Sequence, residues 1–494
     1  MRFPVHGLVL AALLMPGVAS AQSVSPEQAT ALHQQLTDWL GGLLGPSVHL
    51  PPLPLKITAD QDHYDLSWPI RGVNSTSGDL TVTAALIPLD GGRWSLKDVA
   101  LPAAGRFTAT APDAPNMPMN VEFSIGKQNT GATIDPSLAT ASTSHSEMHD
   151  VTVTVDAAKR RQEQHLDSYV GEGDLTPVKD GRLDLTLDGT MEGWKSAQQM
   201  QSGAPVATGV QTVHAVGRVE GINPDHASKL LAATGVLVGA MPPDVAEKGT
   251  KTVLPPMAKA QLRLLIAALQ DVFTSVSFHE TMDGVQLEMA GVGAATIKHV
   301  QFDLGGDAPK GDLHTWLDFG FDGVESPTLP PKLATYLPRH FEIKPTLSGV
   351  SADVLRKLAM DATEDDGARH PIGPDIAAIF ANGGADVGLE VLSFDLGPTT
   401  VEGTGRFTMV SPNAWHGRAH LTATGFDDLT KQAQENPDLQ MALPVLMMMR
   451  GLAKPDGDKL VWDVVSDGPK LTVNGIDMSA LTGGSPTPDQ RTKP

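Results

Sequence analysis

The chain has 494 residues, 57 acidic against 36 basic for a formal net charge of −21, and no cysteine. Such a charge repels phosphate backbones, which argues against nucleic acid as a partner. The missing thiols exclude disulfides, a lipoprotein attachment site and cysteine nucleophiles. With 49 glycines, 38 prolines, 41% hydrophobic and only 5% aromatic residues, the composition suits a turn-rich β protein, and the length allows two to four domains.

Residues 1–21 read as a secretory signal peptide. Arg2 and His6 make a weakly basic start, Leu8 to Met15 an apolar core, and Ala19-Ser20-Ala21 a small-residue cleavage pattern ahead of Gln22. The core is too short to span a bilayer. The expectation is an exported, periplasmic protein with no transmembrane segment after signal cleavage. Ala258 to Val272 is interrupted by Lys259, Arg263 and Gln270, and Met441 to Leu446 is broken by Pro444.

Ser25-Pro26-Glu27-Gln28 is a helix start with a hydroxyl cap and proline at the first position. Leu32, Leu36, Trp39, Leu40 and Leu43 follow as one apolar stripe expected to dock on the domain. Pro46 to Pro54 reads as a stiff linker. From Leu55 the period becomes two, with strands at 64–68, 80–86, 94–99, 121–125, 151–155 and 182–187. Ala109 to Pro118 reads as a proline-rich loop, and Lys195 to Ala207 as a mobile crossing poor in strand formers. Further on, a strand at 213–220 precedes helices from Pro224 to about Met241 and from Met257 to Ser275. Strands at 276–279, 285–289, 297–304, 313–321 and 341–347 are followed by helices at 352–362 and 374–381, then strands at 387–394 and from Val401. The chain closes with a hairpin, helices at 427–435 and 439–452, the Pro455-Asp456-Gly457 turn and strands at 459–465 and 470–474.

Nucleophile elbows, phosphate loops and dinucleotide fingerprints are missing, so no catalytic residue and no cofactor is assigned. The sharpest metal candidate is His145-Ser146-Glu147-Met148-His149: in extended chain His145, Glu147 and His149 share a face, and two imidazoles with a carboxylate suit Zn²⁺. The alternative is a polar strand entry. Lys159-Arg160-Arg161 reads as a solvated rim, Glu364-Asp365-Asp366-Gly367 as a helix-terminal turn in preference to a calcium loop, and Met447, Met448 and Met449 as core packing in preference to an adaptable binding surface. Asn474-Gly475 reads as a plain turn.

The closing module, Gly417-Arg418-Ala419-His420-Leu421, Gly425-Phe426-Asp427-Asp428-Leu429, Gly451 to Asp458, Leu460-Val461-Trp462-Asp463 and Val473 to Leu481, resembles the end of the exported family called Domain of Unknown Function 2125. Tyr64 to Trp68 and Leu329 through Leu355 are similar more faintly. The resemblance implies export and a β-rich fold and transfers no catalytic residues. Its strand-and-helix order is loosely similar to AsmA-like envelope proteins, whose long sheets present apolar grooves to lipid.

The expected fold is α+β: β-rich, extended antiparallel twisted sheets with helices on one face, in degenerate repeated modules. Its expected segments are the signal peptide 1–21, a helix and linker 22–54, a mostly β region 55–210, an α+β region 211–400, the module 401–482 and a disordered tail 483–494. The expected function is non-catalytic: an envelope protein holding a lipid or other hydrophobic ligand along a curved sheet. The alternatives are a secreted hydrolase built from dispersed His and Asp residues, and an adaptor for another envelope protein.

Overall fold

Strands here are too long for an uninterrupted alternation of apolar and polar residues, and the way the chain resolves this shapes its larger sheet. The computed structural model describes residues 24–34, 55–69, 74–75, 80–111, 114–135, 140–157, 160–200, 204–227, 229–230, 256–268, 271–291, 293–308, 311–364, 384–411, 414–435 and 441–478. The signal peptide, Leu36 to Leu43 of the helical stripe, the linker, the helix at 374–381 and the tail from 483 lie outside them.

The described chain is β-rich with few helices. Its strands are β1 (Lys56–Asp60), β2 (His63–Pro69), β3 (Asn74–Ser75), β4 (Thr81–Pro88), β5 (Trp94–Ala100), β6 (Ala104–Ala111), β7 (Ala114–Asp135), β8 (Thr140–Ala157), β9 (Arg160–Pro177), β10 (Leu183–Met200), β11 (Val206–Ile222), β12 (Ser275–Met289), β13 (Gly293–Asp307), β14 (Asp312–Glu325), β15 (Pro338–Ser351), β16 (Ala385–Leu396), β17 (Thr399–Ser411), β18 (Ala414–Thr424), β19 (Lys454–Asp456), β20 (Lys459–Gly468), β21 (Lys470–Val473) and β22 (Ile476–Asp477). The chain divides into two compact units, residues 1–294 with 359–368, and residues 295–358 with 369–494.

In the first unit β7 to β12 form a continuous antiparallel meander. At the other edge β7 pairs with β6 through its first half and with β5 near its end. Across the meander one row of residues interrupts the ladder: Gly126, Asp150, Asp167, Gly193, Gln211 and Gly284 stand opposite one another, bracketed by pairs such as Lys127↔His149 and Trp194↔Val210. On alternate strands this row turns to positive φ, at Asp150 (50°), Gly193 (64°) and Gly284 (64°). Glycine has no Cβ to clash there, and aspartate tolerates the left-handed region better than most residues.

The apolar alternation shifts phase at this crease on every strand. On β12 it runs Val276, Phe278, Met282, then Val285, Leu287, Met289; on β10, Leu183, Leu185, Leu187, Met191, then Trp194; on β8, Met148, then Val151, Val153, Val155. Side-chain period in a strand is two, so a spacing of three would send the apolar set to the other face unless the backbone absorbs it. The crease absorbs it, and the apolar residues on either side of it stay on one face, with Glu280, Gln164 and Gln162 among them.

This corrects several sequence expectations. The separate strands expected at 276–279 and 285–289 are halves of β12, divided by the phase shift. Of the mobile crossing expected at Lys195 to Ala207, residues 195–200 belong to β10 and 206–207 to β11; Lys195 pairs with both His165 and Gly209, and two ladder partners outweigh weak propensity. The proline-rich loop expected at Ala109 to Pro118 is largely the β6–β7 hairpin, with Thr110 opposite Pro118. The β8 ladder reaches β7 only from Asn120, so the prolines remove no donor that β8 needs.

The helix over residues 26–34 seats Ala29 and Leu32 against Tyr64, Leu86, Trp94 and Ile134. The Gln28 amide donates to the Ser25 hydroxyl at 3.3 Å, the expected cap. The buried Tyr64 hydroxyl donates to Gln28 Oε1 at 3.0 Å, tying the helix to β2.

In the second unit β13 to β18 and then β20 to β22 pair in succession, each antiparallel to the next. Phe321, Phe341 and Phe394 stand opposite one another on three strands, with ring centroids 5.5 and 6.2 Å apart. The helices Phe426–Glu435 and Leu443–Leu452 pack by Phe426, Leu446 and Leu452 around Trp462, whose indole donates to Met449 O at 2.8 Å. Asn474 does more than turn the chain: at φ 51° its amide donates to Leu452 O and Val461 O, both at 2.8 Å, and its oxygen accepts from the Asp463 amide at 2.9 Å. The core-packing role expected of the methionines fails. Met447 and Met448 are 52% and 49% exposed, because a single helical layer buries only the face turned to the sheet.

The crease supplies a test. Gly193→Val places a β-branched residue at positive φ and drives its Cβ into the Asp167 carboxylate. It should cost about 1–3 kcal/mol in urea unfolding; Gly181→Val shares the positive φ (70°) but meets nothing within 4 Å, so the excess cost at Gly193 measures the clash with Asp167. Equal stability of Gly193→Val and wild type would rule out a strained crease.

Candidate functional site

The crease gives the sheet of the first unit two chemically distinct faces. Register places Ala132, Ser144, Gly173, Leu187, Gly217 and Phe278 in one row across β7 to β12. The next row on that face is Thr130, Ser146, Gly171, Gly189, Ala215 and Glu280. A floor of small residues is thus flanked by larger apolar ones on β10 and β12. The Tyr169 ring lies along this floor: a Cβ added to Gly171 or Gly189 would meet it. Burial raises the pKa of the Tyr169 phenol.

Much of this apolar face is open. Leu187 is 48% and Leu287 47% exposed, and Val276, Phe278 and Met289 are also exposed. Register puts these exposed residues on one sheet face, with Glu280 among them. Sequence reading supplied the residues of this face without assembling them, because the three-residue spacing at the crease hides their common side.

The opposite face is polar, and it carries the expected metal ligands. His145, Glu147 and His149 do share it, opposite Glu172, Val170 and Ser168. Their side chains pair with one another and with Lys127 and Glu172. Glu147 Oε1 lies 2.6 Å from His149 Nε2 and 3.2 Å from Lys127 Nζ, while His145 stands 4.0 Å from Glu147 and 3.8 Å from Glu172. His145 and Glu172 also rim a shallow depression with Lys97, Gly131, Ser144 and Gly173. Hydrogen bonds from His149 and then Lys127 pull the Glu147 carboxyl from 4.5 to about 2. The group is an ion-pair network with a cation already placed on its central carboxylate.

Two other arrangements escaped the sequence reading. Thr152 Oγ1 lies 3.2 Å from His165 Nδ1, and His165 Nε2 lies 2.9 Å from Asp167 Oδ1: a hydroxyl, an imidazole and a carboxylate in line. Asp60, His63 and Asp65 bring three donor atoms within 4.8 Å of one another. The spacing Asp60-Gln61-Asp62-His63 across a hairpin could have flagged the second. Pairing of Thr152 with His165 across two strands leaves no local trace.

Among the described residues no helix is long and apolar enough to cross a membrane. The chain matches no protein-family model and no curated protein.

The Glu147 network predicts a pH signature. A carboxyl held below its ordinary value adds stability that is present above about 4.5 and is lost as pH falls toward about 2. The stability difference between wild type and Glu147→Gln should therefore be flat above pH 5 and close across that window in denaturant titrations. A difference independent of pH would show that the network contributes nothing.

Proposed function

We propose that the protein is an exported, non-catalytic component of the cell envelope that holds a lipid or other hydrophobic ligand on the apolar face of β7 to β12. The observation that carries this reading is the open apolar face itself. Its exposed Leu187, Phe278, Val276, Leu287 and Met289 lie beside a floor of glycine, alanine and serine, which lets an extended chain approach the backbone. Burying a leucine-sized side chain against a ligand is worth about 1.5–3 kcal/mol, so a few such contacts suffice for stable binding. Export and a periplasmic location are supported by residues 1–21 and by the resemblance of residues 401–482 to Domain of Unknown Function 2125, and the envelope setting by the looser similarity to AsmA-like envelope proteins. Helices laid on one face and degenerate repetition of the sheet-and-helix unit belong to the same proposal.

A second reading, a secreted hydrolase, is favoured by the Thr152–His165–Asp167 chain, in which a base touches a hydroxyl and is oriented by a carboxylate. It predicts ester, peptide or glycoside hydrolysis that Thr152→Ala and His165→Ala both abolish. Activity absent from wild type, or equal in the variants, removes it.

For the first reading, the protein purified without detergent should carry acyl lipids detectable by mass spectrometry after organic extraction. Leu187→Asp with Leu287→Asp should lower the lipid retained at least tenfold with little change in thermal unfolding, since both side chains are already half in water. Lipid-free wild-type protein that also fails to bind a fluorescent fatty acid would sink the proposal.

A further inference from the structure

The β1–β2 hairpin is closed by two residues, Gln61 and Asp62, with Asp60 opposite His63 and Thr58 opposite Asp65. Residues opposite one another share a face, as do residues two apart on a strand. Asp60, His63 and Asp65 therefore project together, and their donor atoms all lie within 4.8 Å of one another. Tyr64, between two of them, points the other way and is 1% exposed in the core beneath the helix over residues 26–34.

The imidazole is held for coordination by its neighbour. His63 Nδ1 is 3.0 Å from Asp62 Oδ1, which fixes the ring and leaves Nε2 toward the cluster, 3.3 Å from Asp65 Oδ1. A carboxylate behind one ring nitrogen and a second nitrogen beside two further carboxylates is the arrangement found around metal-ligating histidines. The Glu147 network differs on this point, because Lys127 occupies its central carboxylate. On the hairpin Lys56 stands four residues from Asp60 on the same strand, and Lys97 lies two strands away, opposite Ala85, the partner of Asp65.

The geometry points to a divalent metal site at the β1–β2 turn, with His63 Nε2 and the carboxylates of Asp60 and Asp65 as ligands and Asp62 as the residue that orients His63. One imidazole nitrogen and two carboxylates suit Zn²⁺, with water completing the shell, better than Ca²⁺, which takes oxygen ligands only. The backing by Tyr64 makes the site a clamp: closing the turn on a cation braces the strand that anchors the helix over residues 26–34. This inference is independent of the lipid reading.

Titration calorimetry of the full chain, purified without a polyhistidine tag, with Zn²⁺ and separately with Ca²⁺ tests it. Wild type should bind Zn²⁺ at a site that His63→Ala and Asp65→Asn each weaken at least tenfold and that Asp62→Asn weakens by about 10–100-fold. Circular dichroism melts without metal keep loss of binding distinct from loss of folding, and Glu147→Gln should leave this site intact. Co²⁺ in place of Zn²⁺ should give a visible absorption spectrum that His63→Ala removes. Equal Zn²⁺ binding by wild type and His63→Ala, no Zn²⁺ binding by folded wild type, or a preference for Ca²⁺ unaffected by His63→Ala would overturn the proposal.

Discussion

One requirement governs the first unit: strands of up to 22 residues must keep their apolar residues on one face while the ladders on either side of any break stay in register. Regular alternation fails over such lengths here, because each strand carries a three-residue step between apolar positions near its middle. Asp150, Gly193 and Gly284 meet the requirement by taking positive φ at one aligned row. A crease confined to one strand would break its ladder with both neighbours. Carried across all six strands, it leaves the pairs on either side in register.

The division into faces follows from that row, and the candidate chemistry follows from the faces. Histidines, carboxylates and lysines collect on the polar side, where water screens them and pairs such as His149–Glu147 and His214–Asp188 form across or along strands. The apolar side is left with glycine and serine at its centre and leucine, phenylalanine and methionine around them. An enclosed core would bury such residues; here Leu187 and Leu287 remain about half exposed.

The helices are held to their sheets by few but specific contacts. Tyr64 fixes one through Gln28, and Trp462 fixes another through the Met449 carbonyl. Asn474 adds three hydrogen bonds joining the end of the helix Leu443–Leu452 to β20. Tyr64 and Trp462 each carry a polar atom into an apolar contact, where a missing partner costs more than the bond itself contributes.

The sequence by itself determined the β-rich character, the helix start at Ser25 and, within one residue, that at Asp427, the strands of the closing module, and the common face of His145, Glu147 and His149. These rest on local rules: capping, period-two alternation and turn residues act between neighbours a few positions apart. It misjudged β12 as two strands, Lys195 as a crossing and Met447 as core, and it passed over the Thr152–His165 contact. Only the tertiary structure decided those. A phase shift makes sense only when five other strands share it, a weak strand former is held by ladders on both sides, and the exposure of a helix face depends on what lies against it. The same holds for the hairpin at His63: the four residues are adjacent in the chain, but their use as a site depends on Tyr64 being fixed behind them.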